Sequence, residues 1–376
     1  MSATVLISAG EASGDRYAAD LACHLRKLHP ELTLFGCTGD RMAAAGVETV
    51  VDAASLAVVG LAEVVSHIPR IYGEYRKLLR ATDERRPRLA ILTDSPDFHL
   101  RLARQLRRRG VPVVYLVAPQ VWAWRQGRVR QMRRDLTQLL CIFPFEEPWF
   151  QERGVRATWI GHPLVHQVSA KTTRSEFFRR HGLSESRPFV PLLPGSRRGE
   201  ASRHVPHLVD AASRMPGVQF AFAMPSGFLA RAGEQFFRER NSPSSIQVFE
   251  GETSDALAHA DVALAASGTV TVEAALLGTP MVTFYRVSPL SWLLGRRLVR
   301  VPFLTMVNLL AGRSVVPELM QDEATGERLS GEVLRLLGDE QARNRMKQDL
   351  ASVAATLRTS EHPMQTAAEI ASRYLD

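Results

Sequence analysis

The sequence predicts an α/β protein built from two doubly wound, parallel-sheet domains, and three observations carry that reading. Short apolar runs bounded by Gly, Pro or Asp alternate with helical patterns along the whole chain. The length of 376 residues allows two separate cores. Turns of small residues follow several of the runs, at the strand ends where open α/β sheets bind their ligands.

In the first half the expected strands are Thr4–Ala9, Leu32–Gly36, Leu89–Thr93, Val113–Val117, Leu139–Phe143 and Ala157–Ile160. Helical spacing fits Gly14–Lys27, Leu61–Thr82, Phe98–Arg109 and Glu146–Arg153. The second half repeats the rhythm with strands Phe189–Leu193, Gln219–Ala223, Ile246–Glu250, Val262–Ala265 and Met281–Phe284. The chain divides on this basis into residues 1–165, 166–345 and a tail, 346–376. From about Leu329 onward the pattern is helical with no strand, so the tail must pack on something already built.

Composition narrows the partners. A 45% hydrophobic and 23% charged content is that of an ordinary globular protein, and the net charge of +8 favours anions. All but four of the 47 basic residues are arginine. Ten of them fall between Arg101 and Arg134 with no acidic residue among them. The cysteines Cys23, Cys37 and Cys141 form no metal spacing and fit a reducing compartment. The N-terminus lacks the basic region of a signal peptide, and no apolar run approaches the roughly 20 residues that span a bilayer. A cytoplasmic protein is expected, touching a membrane without crossing it.

Five stretches carry chemistry. After the first strand, Gly10, Glu11, Ser13 and Gly14 form a turn whose glycines admit a ligand close to the backbone. It is not GxGxxG, and no GxxxxGK[ST] occurs, so neither a dinucleotide site nor a P-loop is supported. Asp94-Ser95-Pro96-Asp97 ends the strand Leu89–Thr93; Asp97 reads either as the N-cap of the following helix or as a general base. Trp122 and Trp124, with Arg125, follow the next strand and suit core packing or a sugar platform. Gly195, Ser196 and Arg197 form an anion cradle after Phe189–Leu193. Ser267, Gly268 and Thr269 form a second such cradle, opening a helix that carries Glu273. No two aspartates stand two apart, so a DxD-bound metal is not expected and arginines with helix termini must hold any diphosphate. The apolar stripe Leu61, Val64, Val65, Ile68, Ile71, Tyr72, Tyr75, Leu78, Leu79, preceded by Val58 and Val59, reads as a core face or a lipid-contacting one. The segment Trp292–Phe303 allows the same two readings.

Taken together these stretches resemble the lipid-A-disaccharide synthase family over nearly the whole chain. The resemblance rests on AGEASGD at Ala9–Asp15, SPDF at Ser95–Phe98, PQVWAWR at Pro119–Arg125, GHPL at Gly161–Leu164 and LLPGSR at Leu192–Arg197. It continues in ASGTVTVEAAL at Ala266–Leu276, FYR at Phe284–Arg286, NLLAGR at Asn308–Arg313 and VPELMQ at Val316–Gln321. Two positions depart from the family pattern: His99 where asparagine is expected, and Val307 where proline is expected.

The resemblance implies a GT-B-like fold of two Rossmann-like domains, with a C-terminal helix crossing back to the N-terminal one. It implies transfer of 2,3-diacylglucosamine from its UDP derivative to 2,3-diacylglucosamine 1-phosphate, with inversion and without a cofactor or metal. Asp97 would be the general base. Gly195, Ser196, Arg197, Ser267, Gly268 and Thr269 would hold the diphosphate, and Glu273 the ribose. Gly10, Glu11, Ser13, Gly14, Trp122, Trp124, Arg125, Arg286 and Asn308 would meet substrate. The expected setting is the cytoplasmic face of the inner membrane, with a homodimer as the assembly to test. The nearest alternative is another GT-B enzyme acting on UDP-GlcNAc. A nucleic-acid binder using the Arg101–Arg134 run is a weaker one, since those arginines flank the sugar-site motifs, and no nucleic acid is expected.

Overall fold

The computed structural model describes residues 3–56, 61–289, 292, 293, 299 and 301–375, with the main chain alone for 61–67. It divides into two units, the first comprising residues 1–163 and 357–376, the second residues 164–356. Val58 and Val59 lie outside the described residues, as do the side chains of Leu61, Val64 and Val65 and half of the segment Trp292–Phe303.

The first unit holds seven strands: β1 (Thr4–Ala9), β2 (Thr33–Thr38), β3 (Glu48–Asp52), β4 (Leu89–Thr93), β5 (Val113–Leu116), β6 (Gln138–Cys141) and β7 (Ala157–Trp159). They pair in parallel in the order β3-β2-β1-β4-β5-β6-β7. Every residue of β4 and β5 is buried, as a sheet covered on both faces requires. Sequence reading missed β3, whose five residues include one buried side chain, Val51. An edge strand of that kind carries no apolar run to find. At Gly36 the neighbouring strand comes so close that an added Cβ would stand 1.8 Å from the carbonyl oxygen of Ile7, so only glycine fits.

The covering helices are α1 (Ala12–Leu28), α2 (Asp40–Ala44), α3 (Leu61–Arg85), α4 (Pro96–Arg108), α5 (Val129–Asp135) and α6 (Glu146–Gln151). Helix α4 corrects an expectation. It begins at Pro96, with Ser95 as its N-cap, so Asp97 is the second helical residue and not the cap. Proline suits the first helical position because its missing N–H would have no partner there.

The second unit contains α7 (Leu164–Gln167), α8 (Arg174–His181), β8 (Phe189–Leu193), α9 (Arg198–Ser213), β9 (Gln219–Met224), α10 (Phe228–Ala232), β10 (Gln247–Glu250) and α11 (Thr253–Ala258). It continues with β11 (Ala263–Ala266), α12 (Thr269–Leu276), β12 (Met281–Tyr285), α13 (Met306–Ala311), β13 (Glu318–Met320), α14 (Gly326–Gly338) and α15 (Glu340–Thr356). Its six strands are parallel in the order β10-β9-β8-β11-β12-β13. The chain then returns to the first unit, where α16 (Pro363–Ser372) packs on α1. The GHPL motif borders this return: His162 N–H donates to the Leu357 carbonyl (3.0 Å), and a Cβ on Gly161 would stand 2.5 Å from Thr359 Oγ1.

Asn308 ties down the edge of the second sheet. Fully buried on α13, it donates through Nδ2 to the Val316 carbonyl (2.9 Å) and to Glu318 Oε1 (2.8 Å). Its Oδ1 accepts from the N–H groups of Val315 (2.7 Å) and Val316 (3.0 Å). Both donors and both acceptor sites are thus occupied within the unit, and the side chain has nothing left for a substrate. Asn308→Ala should therefore lower unfolding free energy by about 2–4 kcal/mol with an unchanged m-value in urea titrations. A melt identical to that of the parent would mean that these bonds contribute nothing to the fold.

Candidate functional site

In each sheet the strand order reverses once, between β1 and β4 in the first unit and between β8 and β11 in the second. At such a switch point the loops leaving the two strands diverge and open a crevice at their carboxyl ends. The motif turns lie at these two places.

In the first unit the β1 turn and the β4 turn are joined by Asp94. Its Oδ1 accepts from Gly10 N–H (2.8 Å) and its Oδ2 from Glu11 N–H (3.0 Å). Gly14 makes room for it, since a Cβ there would stand 1.7 Å from Asp94 Oδ2; on Gly10 a Cβ would meet Asp94 and Ser95. The AGEASGD glycines therefore house a carboxylate of their own unit. Ser13 is half-buried and Glu11 exposed on the same turn. The Asp94 side chain is 13% exposed, and burial pushes its pKa up to about 7 against the opposing pull of the two N–H donors.

The backbone here is held in an unfavourable conformation. Asp94 has φ 54°, Ser95 φ 37°, and Val117, at the end of β5, φ 65°. Two buried side chains fix the Asp94 carbonyl. Tyr115 donates its hydroxyl to it, and His99 donates from Nδ1 (3.0 Å). With Nδ1 protonated, His99 Nε2 accepts from Ser8 Oγ (2.8 Å). Burial lowers the His99 pKa to about 4, so the ring is neutral near pH 7. The departure from asparagine at this position thus supplies a strut for the turn. As pH rises from 3.8 to about 7, Asp94 contributes progressively less to stability, because the folded chain holds its proton more tightly than the unfolded chain does. His99 acts oppositely, its contribution being lost as pH falls from 6.5 through about 4.

Asp97 has a different environment. Its side chain is 69% exposed and is clamped by Arg125 (3.1 Å) and Arg128. The Arg125 guanidinium also lies over the ring of Trp124, 4.1 Å from its centroid, and Trp124 is 42% exposed. Trp122 is core: it is buried, and its indole N–H donates to Glu146 Oε1 (3.0 Å). The buried Glu146 has its pKa raised to about 7 by desolvation and also accepts from Phe143 N–H, tying the tryptophan loop to the start of α6. Of the two motif tryptophans, only Trp124 presents a surface.

In the second unit, the register of Leu192 against Leu264 and Leu193 against Ala265 sets the LLPGSR turn beside the ASGT turn. Gly195 has φ 107°, which favours glycine, while Ser196 and Arg197 are exposed. The N–H of Ser267 is already committed to the Phe284 carbonyl (2.8 Å), so the expected anion cradle shrinks to the first residues of α12. No side chain caps that helix at Gly268, and Gly268 and Thr269 are exposed. The leading N–H groups of a helix lack intrahelical acceptors, which leaves them to an anion. Glu273 is half-buried on the second turn of the same helix.

His204 on α9 braces this crevice from below. Arg286 N–H donates to its Nε2 (3.0 Å), which fixes the proton on Nδ1, and Nδ1 donates to the Pro194 carbonyl (2.7 Å). The side chain is completely buried, and burial lowers its pKa. The guanidinium of Arg286 donates to the Gln321 carbonyl (2.7 Å), so it ties β12 to the turn after β13. Sequence reasoning missed His204, though a histidine seven residues after the LLPGSR arginine was there to find.

Among the described residues, one group has metal-ligand chemistry: Asp20, His24 and His362, with donor atoms within 4.8 Å of one another. It lies where α1 meets the start of α16, with His24 and His362 stacked and His362 Nδ1 accepting from Met364 N–H (3.2 Å). None of the motif residues belongs to it. No described helix is long and apolar enough to cross a membrane.

Comparison with known proteins agrees with this geometry. A family model described as lipid-A-disaccharide synthetase matches residues 5–371. The lipid-A-disaccharide synthase of Solibacter usitatus (strain Ellin6076) is 62% identical over 354 residues, covering 94% of this chain and 92% of the relative. That of Koribacter versatilis (strain Ellin345) is 46% identical over 371 residues, covering 98% and 97%. Among solved structures, the UDP-GlcNAc 2-epimerase of Neisseria meningitidis bound to UDP-GlcNAc has a similar fold, with TM-score 0.65 at 11% identity over 100% of this chain and 99% of that one. The calicheamicin glycosyltransferase CalG4 matches with TM-score 0.59 at 18% identity over 100% and 98%. The chain belongs to the lipid-A-disaccharide synthase family, as a GT-B glycosyltransferase of lipid A biosynthesis.

Proposed function

We propose that the protein transfers the 2,3-diacylglucosaminyl group of its UDP derivative to the 6-hydroxyl of 2,3-diacylglucosamine 1-phosphate, inverting the anomeric carbon and releasing UDP. The observation that carries this reading is the Asp94 carboxylate, buried at a switch point with its pKa raised to about 7. A base of that pKa holds a useful fraction of carboxylate near neutral pH while keeping proton affinity enough to take a hydroxyl proton. In the step proposed, Asp94 accepts the acceptor's 6-hydroxyl proton as that oxygen bonds to the anomeric carbon. The bond from that carbon to the diphosphate oxygen breaks on the opposite face, and its electron pair leaves with UDP.

Arg197 and the N–H groups opening α12 at Gly268 and Thr269 would carry the charge that develops on the diphosphate. Glu273, on the second turn of that helix, would hold the ribose. With arginine and helix-terminal donors in that role, the chemistry requires no metal. Asp97, the residue the motif resemblance singled out, has its charge matched by Arg125 and Arg128 and is assigned to positioning them.

Asp94→Asn should fold and lose about 10²–10⁴-fold in kcat with the diacylated pair of substrates. Asp97→Asn should lose no more than about tenfold. The reverse order of losses would move the base to Asp97. The pH profile of kcat/KM should rise through about 7 and level off above it, since the deprotonated form is the active one. A profile flat from pH 5 to 8 would exclude Asp94.

Ile68 and Tyr72 on α3 are 53% and 58% exposed, and they support contact of this helix with the cytoplasmic face of the inner membrane. Serine at both positions should weaken cosedimentation with phospholipid vesicles at an unchanged melting temperature; unaltered binding would place the contact elsewhere.

A further inference from the structure

The flank of α4 carries chemistry that the reaction above leaves unused. Asp97, Arg101, Arg104 and Gln105 follow one another at helical spacing along one face of α4. Beyond the Asp97 ion pairs, a groove of about 450 Å³ is lined by Tyr75 of α3, by Arg101, Arg104 and Gln105, and by Gln131 and Arg134 of α5. Its wall includes no acidic residue.

The groove is cross-tied. Gln131 Nε2 donates to the Leu100 carbonyl (2.8 Å), fixing α5 to α4. Tyr75 donates its hydroxyl to the Arg101 carbonyl (3.3 Å) and packs edge-on against Phe98, with ring centroids 5.7 Å apart. Of the three guanidiniums, Arg134 is paired with Asp135 (2.6 Å). No ion pair to Arg101 or Arg104 occurs among the described residues. Their like charges, three residues apart on one helix, oppose each other without an anion between them. Isolated arginines on a helix are ordinarily just solvated. Here two of them, unmatched by any carboxylate among the described residues, share a concavity.

We propose that this groove is a binding site for a phosphate monoester. Two unmatched guanidiniums balance a dianion, which a monoester carries near neutral pH and a phosphodiester does not, and guanidinium forks suit phosphate oxygens. Resting on the function proposed above, the ligand is the anomeric phosphate of the acceptor. Arg101 is the sixth residue of α4, the helix that leaves the Asp94 turn, about 8 Å of helix rise past its first residue, a distance comparable to the span of a hexose with its phosphate. The groove would then separate acceptor from donor by a phosphate that only the acceptor presents as a monoester.

The test uses the full chain with Arg101→Gln and Arg104→Gln together, both positions being exposed and away from the core. The variant should raise KM for the phosphorylated acceptor by roughly tenfold or more. It should leave kcat and the KM for the UDP-sugar within about twofold, and Arg→Lys at both positions should restore part of the loss. With an acceptor lacking the phosphate, parent and variant should perform alike. Unchanged KM for the phosphorylated acceptor overturns the proposal, and so does a loss confined to binding of phosphatidylglycerol vesicles, which carry a phosphodiester. A separate arm follows amide NMR shifts on titration with glucosamine 1-phosphate and with glucosamine. Shifts around Arg101 and Arg104 with the phosphate alone, absent from the double variant, support a monoester site even if the diacylated pair gives no turnover and the proposed reaction fails. No such shifts, in a chain that does turn over the diacylated pair, overturn the groove and leave the reaction standing.

Discussion

The first unit depends on one constraint: a carboxylate placed where two strands diverge, with backbone N–H groups as its anchors. Asp94 sits at the end of β4 and bonds to the turn that leaves β1. The requirement propagates outward. Gly10 and Gly14 must lack side chains to admit it, and Asp94 and Ser95 must adopt positive φ to aim it. Tyr115 and His99 must hold its carbonyl, and Ser8 must hold His99. Desolvation then does the chemical work, because a carboxylate taken out of water binds its proton more tightly. Backbone strain and buried polar side chains are costs that a fold keeps where function uses them.

The second unit solves a different problem with a related geometry. Its switch point packs the half-buried Glu200 carboxylate against Gly195, and it offers a glycine turn, an exposed arginine and an uncapped helix start. The histidine beneath it, His204, is neutral and spends both ring nitrogens on main-chain groups of two different loops. One crevice therefore suits proton removal and the other suits a leaving anion.

Much of this was legible in the sequence. The interior strands were found almost residue for residue because strands covered on both faces are continuous apolar runs. Two edge strands were missed: β3 because it is mostly exposed, and β13 because its three residues hold a single buried side chain. The motif turns were located correctly, but the duties of their residues were less visible. Asp94 and Asp97 are three positions apart in one turn, and only burial distinguishes the desolvated carboxylate from the ion-paired one. Asn308 reads as a polar residue awaiting a ligand, whereas its four hydrogen bonds serve the fold; Arg286, expected at substrate too, ties Nη1 to the Gln321 carbonyl. Trp122 and Trp124 look equivalent in sequence, and one is core while the other is surface. A motif records which residue types stand together; which main-chain group each one faces is a property of the folded chain.

The most direct test of the central claim is a titration of the Asp94 carboxyl itself, independent of substrate. The ¹³C carboxyl resonances of aspartate, followed by NMR in the parent chain and in Asp94→Asn, isolate the residue by difference. The account requires one aspartate resonance with a midpoint near pH 7 in the parent, missing from the variant. If the resonance lost on substitution instead titrates near the ordinary aspartate value of about 4, the carboxylate is not desolvated and the proposed base is contradicted.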